Sequence, residues 1–362
     1  MLFFHPSRFG WILVLALGLR PLVAPATQAD YSHEYHYHYI SLSKDLSPSG
    51  FSEFAPVAID DRGRIYGTIW DASFIAHIAV YINGAVTVFQ PGNAVAANAR
   101  GIIGGFVTDP QTGNLHAALF RGDQTEMIPF LPGEIKTYVL SLNDSDTALV
   151  WSEDPSGLNQ NTYRLYRKGK TLFSYQLPTG SDCSSCWGVN NQGIVVGTIY
   201  DANLNAFRAI RFRPPYGEPL LLDPLPPDSD STSFGINSSG YILGVSNAYL
   251  GDPSRNRYGV WNRKGNFKAY FEGINYYALF NDNNLIVLTQ NFDTDFNSYL
   301  VPRPGVRLNV ADLVDNPSTE VADLAQVIDI NNRGDMIGYK VCFDLPCPPP
   351  FLLRRLVSPQ VH

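Results

Sequence analysis

Charge is scarce in this sequence, and so is recognisable chemistry. Charged residues make up 16% of the 362, with 26 basic residues against 33 acidic ones. Arg8 and Arg20 fall in the first 29 residues, which hold no acid. Removing them leaves 24 basic residues against 33 acidic, a net charge of −9. A nucleic-acid partner needs a basic surface, so it is excluded as a reading. After residue 29 no apolar run is long enough to span a bilayer. Only four cysteines are present, in two close pairs, Cys183/Cys186 and Cys342/Cys347. Histidine is rare too: past residue 38, only His77, His116 and His362 occur. Gly-Xaa-Ser-Xaa-Gly, His-Glu-Xaa-Xaa-His, phosphate loops and dinucleotide fingerprints are all missing.

Apolar and turn-forming residues, by contrast, are plentiful. Apolar residues reach 45%, enough for a large core, with 20 Tyr, 21 Phe, 30 Gly and 26 Pro. Aromatics mixed with turn formers favour an all-β chain of short strands. Residues 1–29 read as a signal peptide: Arg8, then Trp11 to Leu19 as a short apolar run, then small residues around Ala24 to Ala29. Export makes the protein secreted or periplasmic, and makes two local disulfides, Cys183–Cys186 and Cys342–Cys347, the plain reading of the pairs. Residues 30–362 are expected to form one domain, taken as a monomer.

One pattern recurs: an apolar residue, Asn or Asp, two variable residues, Gly, then apolar residues ending in a second Gly. Its lead residues are Asp60, Asn98, Asn143, Asn190, Asn237, Asn281 and Asn331. The spacings run from 38 to 50 residues. The first residue caps a tight turn with its side chain, and Gly at the fourth position supplies positive φ. Copies 3 and 6 place Asp146 and Asn284 at that fourth position. A third strand follows, as in His77-Ile78-Ala79-Val80-Tyr81. A second Gly turn and a fourth strand come next. Four strands in about 45 residues is the size of a propeller blade. The last copy has only three strands, and Tyr35 to Leu42 is an orphan strand ahead of the first. Pairing the two closes a ring and removes its edge. The expected fold is an all-β, seven-bladed β-propeller of four-stranded antiparallel blades.

Val189 to Gly197, with His116-Ala117-Ala118-Leu119-Phe120 and His77-Ile78-Ala79-Val80-Tyr81, resembles the bacterial HAF family of extracellular repeats. The resemblance covers nearly the whole chain after residue 29. It implies a secreted propeller and carries no catalytic residues.

Candidate site residues collect on loops. Asp71, Asp109, Asp154 and Asp201 each fall eleven residues after a lead Asn or Asp. Each is expected to cap its own turn. A calcium site built from such loop aspartates is the sharper alternative. His36 and His38 alternate with tyrosines on the orphan strand and could hold a transition metal, or simply face water. Trp187, just ahead of the fourth turn, is a further candidate. So is Asp329, a carboxylate where the other inner strands carry small residues or Leu279. The leading functional expectation is a non-catalytic module binding a glycan or a protein. A propeller hydrolase or lyase using His77 or His116 with nearby acids is the alternative, and a structural envelope protein is the third reading.

Overall fold

The computed structural model describes residues 34–43, 47–153, 161–176, 188–213, 216–247, 256–273, 276–290, 297–315, 326–339 and 349–356. Its strands form seven four-stranded antiparallel sheets. Six sheets follow chain order, from the inner strand at the ring axis to the outer strand at the rim. The inner strands of blades 1 to 6 are Ala55–Ile59, Asn93–Ala97, Thr137–Leu142, Gly188–Val189, Asp230–Ile236 and Tyr276–Phe280. Blade 7 is composite. Its three C-terminal strands are Gln326–Ile330, Met336–Tyr339 and Phe351–Leu356, and the N-terminal strand His36–Ser41 pairs with the last of them as the outer strand. The ring thus closes as the orphan strand implies. Copies 3 and 6, which lack the turn glycine, build full blades.

The turn chemistry is that of the repeat. Gly193 sits at φ +74, and its stand-ins Asp146 and Asn284 sit at +61 and +59. Only Gly, Asn and Asp occupy this region at low cost, which explains why those residue types replace glycine here. The second glycine answers a different need. A Cβ at Gly105 would run into the carbonyl oxygen of Asn93 on the inner strand, so the second strand can lie this close only without a side chain.

No single core exists. The buried apolar residues fall into seven clusters, one at each junction between neighbouring blades. Strand Ile65–Trp70 shows why: Ile65 and Ile69 pack toward blade 7, while Tyr66 packs toward blade 2. Both faces of a blade's second strand are buried, so strands such as Ile65–Trp70 and Ile242–Asn247 are buried almost throughout rather than alternating. Five inner strands carry a one-residue bulge, at Val57, Val95, Leu140, Phe234 and Ile328. After each comes Ala58, Ala96, Ser141, Gly235 or Asp329. The inner strand of blade 6 has no bulge, and it is the one that places the large Leu279 at this position.

One crossover is pinned by a buried ion pair. Arg164, on the third strand of blade 3, lies 3.0 Å from Glu134 in the connection from blade 2, and both side chains are buried. Burial pushes the Arg164 guanidinium below its usual range, and Glu134 pulls it back up. Glu134→Gln removes the counter-charge but not the volume. It is expected to cost about 2–3 kcal/mol in urea unfolding. An unchanged midpoint would mean that water reaches Arg164.

Candidate ligand-binding surfaces

The face bearing the repeat turns is built first, because the motif makes it. Each lead Asn does two jobs. Its Oδ1 accepts from backbone N–H groups of its own turn, from one in Asn237 and from two in the others, as Asn143 does from Ser145 (3.0 Å) and Thr147 (2.9 Å). Its amide donates to the next blade: Asn98 to the Asn143 carbonyl, Asn143 to Asn190, Asn190 to Asn237, Asn281 to Asn331 and Asn331 to Asp60. Asn237 donates instead to the Asn284 side chain, 2.9 Å away. Asp60 cannot donate, and there Arg64 stands in. It pairs with Asp60 at 2.6 Å and donates to the Ala99 carbonyl of blade 2. A belt of side-chain amides and one ion pair therefore links all seven turns.

The residue after each lead position rims the channel mouth, a cavity of about 230 Å³. Asp61, Asp144 and Asp282 lie here. Their carboxylates accept from the neighbouring turns, for example Asp144 from Ala99 N at 2.8 Å and Asp61 from Asn332 N at 2.7 Å. The mouth is negative and amide-lined, and no histidine or cysteine lines it. Among the described residues no group of three or more His, Cys, Asp or Glu side chains is placed to hold a metal ion.

On the opposite face the loop aspartates serve their own turns. Asp71 accepts from Ser73 and Ile75, Asp109 from Gln111 and Thr112, and Asp201 from Asn203 and Leu204. The hydrogen bond from His77 and that from Ile75 N hold the Asp71 carboxyl below the usual range; for Asp109 the Gln111 and Thr112 N–H groups do so. The three are not brought together. Asp154, Trp187, Cys183, Cys186, Cys342, Cys347 and residues 1–29 lie outside the described residues.

His77, His116 and His36 are each bonded within the protein, while His38 is exposed on the outer strand of blade 7. His77 Nε2 lies 3.1 Å from Asp71 Oδ2, and its Nδ1 is 3.4 Å from the Phe89 carbonyl. Both ring nitrogens thus lie within reach of oxygens of its own blade. His116 Nε2 donates to the Ile128 carbonyl at 3.0 Å, and its ring stacks on Phe130 at 4.2 Å. His36 is bonded to Asp315 at 2.6 Å, while the neighbouring Tyr37 is buried.

Asp329 lies on the inner strand of blade 7 and bridges the closure. Its Oδ2 accepts from Ile59 N of blade 1 at 2.8 Å and its Oδ1 from Ile330 N at 2.9 Å. Ser141, at the same position in blade 3, accepts from Val189 N of blade 4, so this position tethers neighbouring inner strands. Burial pushes the Asp329 carboxyl up to about 6. The folded state therefore holds this proton at pH values where the unfolded chain, with an Asp near 3.8, has lost it. The resulting stability is full below about pH 4, falls as pH rises through 6, and is gone above about 7. The gap of roughly two pH units is worth about 1–3 kcal/mol once channel water is allowed for. The stability difference between wild type and Asp329→Asn should shrink by that amount from pH 4 to 7 in urea titrations. A difference independent of pH would show that the carboxyl is solvated like any other.

The surface most suited to a ligand is one that the repeat pattern does not reveal. On the loop face of blades 1 and 2, Trp70, Phe74, Ile75, Phe106 and Pro110 line a groove of about 690 Å³, with Asn93 and Thr108 as polar members. A second cavity of about 670 Å³ adjoins it across Trp70 and Phe74. The Ser47 hydroxyl lines that second cavity, buried and without a partner among the described residues. Phe74 is 89% exposed and Ile75 is 50% exposed. Phe74 sits at φ +60, in a region that side chains other than Gly, Asn and Asp seldom adopt, so the loop holds an aromatic ring in water at a conformational cost. Beyond it, Phe106, Tyr138 and Trp151 form a chain of ring contacts at 6.4 and 4.7 Å.

No protein-family model matches the chain, and no curated protein matches it. Solved structures do resemble it. The β-propeller domain of the Trilobed protease from Pyrococcus furiosus aligns with a TM-score of 0.57 at 10% identity, over 84% of this chain and 97% of that one. Oligogalacturonate lyase from Vibrio parahaemolyticus aligns with a TM-score of 0.57 at 10% identity, over 88% and 96%. Pyrococcus horikoshii acylaminoacyl peptidase aligns with a TM-score of 0.56 at 11% identity, over 87% of this chain but 53% of that protein. At these identities the likeness is one of fold: the chain is a seven-bladed β-propeller.

Proposed function

We propose that the protein is an exported, non-catalytic binding module that holds a glycan in the aromatic groove of blades 1 and 2. The observation that carries this reading is the pairing of two aromatic rings, the half-buried Trp70 and the exposed Phe74, with polar groups at the groove wall. Sugar rings stack their C–H faces on aromatics while their hydroxyls need hydrogen-bond partners. Asn93 and Thr108 on the groove wall, and in the adjoining cavity Ser47, whose hydroxyl has no partner among the described residues, are of the type required. A hydrolase or lyase reading is less well supported, because the ring nitrogens of His77 both face acceptors and His116 is tied to Ile128 and Phe130. The second reading is a protein partner, favoured by the exposure of Phe74 and Ile75 side by side. Residues 1–29 would direct export.

The test is binding of the purified protein to an array of bacterial and plant glycans, with and without calcium. A competable hit that Trp70→Ala or Phe74→Ala abolishes would support the glycan reading. Dependence on calcium would assign a metal role to loop aspartates such as Asp71. A blank array would sink the glycan reading and leave the protein partner.

A further inference from the structure

On the turn face, arginines near the blade junctions are neutralised almost one by one. Arg64 pairs with Asp60 at 2.6 Å, Arg100 with Asp146 at 2.8 Å and Arg333 with Asp335 at 2.6 Å. The junction of blades 4 and 5 breaks this pattern. Arg211 and Arg213 leave the end of the third strand of blade 4, and Arg263 stands on the turn between the third and fourth strands of blade 5. All three line one groove of about 370 Å³. None of them makes an ion pair with a carboxylate among the described residues.

What holds them is backbone. Arg211 Nη1 donates to the Arg263 carbonyl at 2.6 Å, and Arg263 Nε donates to the Ser239 carbonyl. The turn that carries Arg263 is itself capped, with Asn262 Oδ1 accepting from Lys264 N and Asn266 N. Arg211 and Arg263 are thus positioned without being neutralised, and among the described residues most of the N–H groups of the three guanidiniums have no acceptor. Three like charges around one small groove repel each other, in a chain whose net charge is −7. A counter-ion relieves that repulsion, and the planar guanidinium fork matches an oxyanion. The rest of the groove is mainly apolar, with Ile194, buried Phe212 and Leu220, which is 48% exposed, beside Gly240 and one polar residue, Gln192.

We propose that this groove is an anion-binding site for a carboxylate, sulfate or phosphate group carried on a body whose apolar face covers Leu220. The charged head sits among Arg211, Arg213 and Arg263. The site lies on the opposite face of the ring from the aromatic groove, so it stands or falls apart from the glycan reading.

The test is calorimetric titration of the purified protein with four probes: inorganic phosphate, a uronic-acid disaccharide, its neutral counterpart, and hexyl sulfate. One-site saturation by at least one anion is expected, weakening with salt and falling about tenfold or more in the Arg213→Gln/Arg263→Gln variant. Both substitutions are at exposed positions, and an unchanged melting temperature would show that the fold is kept. The tightest anion identifies the body as sugar or alkyl. Absence of saturation by any anion up to about 10 mM would overturn it, as would equal binding of the neutral disaccharide or full binding by the double-arginine variant.

Discussion

Asn143→Ala is expected to lower the unfolding free energy by roughly 4 kcal/mol, a large share of the stability of an ordinary domain. Asn143 is 5% exposed, and three groups depend on it: the N–H groups of Ser145 and Thr147, and the Asn190 carbonyl 2.7 Å away in the next blade. Alanine strands all three where little water reaches them, and each stranded group costs about 1–3 kcal/mol. Asn143→Asp separates the two roles of the side chain. It keeps the turn cap and loses only the donor, so about half the effect is expected. Asp60 tolerates that loss because Arg64 covers the joint, whereas the residue four after Asn143 is Thr147, which cannot. Urea unfolding of the three proteins decides the matter. Equal loss in Ala and Asp would assign the whole effect to the interblade bond, and a loss below about 1 kcal/mol in both would mean that the belt contributes little.

Tyr37→Ala should weaken the ring by a comparable amount, about 3–5 kcal/mol, and by a different route. Tyr37 is fully buried among Leu300, Val314 and Phe351, and its carbonyl accepts from Asp315 N at 3.0 Å. Its strand is joined to blade 7 only by noncovalent contacts with a strand more than 300 residues away in sequence. Loss of Tyr37 therefore also loosens the closure. Removing residues 35–42 altogether exposes the edge of Phe351–Leu356, and an unpaired edge invites association between chains. Light scattering should show oligomers for the deletion and a destabilised monomer for the point variant. A monomeric deletion with wild-type stability would show that the ring does not need this strand.

Most of the fold was legible in the sequence because turns are local. Asp60 to Gly63 and its six counterparts announce hairpins through capping side chains and positive φ, requirements confined to four residues. Ring closure was legible from the orphan strand Tyr35 to Leu42. The candidate surfaces were far less so. The lead Asn is visible as a cap, but its bond to the next blade spans 44 or more residues, and nothing in one repeat encodes it. Leu279 is an outlier in sequence only because a bulge is absent, and bulges leave no residue signature. The exposure of Phe74 depends on a left-handed backbone that Asp71-Ala72-Ser73-Phe74 does not advertise. Arg211, Arg213 and Arg263 come from two blades, and their lack of acidic partners appears only once the arginines at other junctions are seen with theirs.

Each proposed site lies across a junction between neighbouring blades, and the packing of those blades around one axis rests on closure at blade 7. Hydrogen exchange of the peptides covering 36–41 and 351–356 tests closure most directly. The two peptides should be protected alike, exchanging only with global opening and with the same dependence on denaturant. Exchange of 36–41 within seconds, while 351–356 stays protected, would contradict it: the N-terminal strand would then not be the outer strand of blade 7, and the ring would be open.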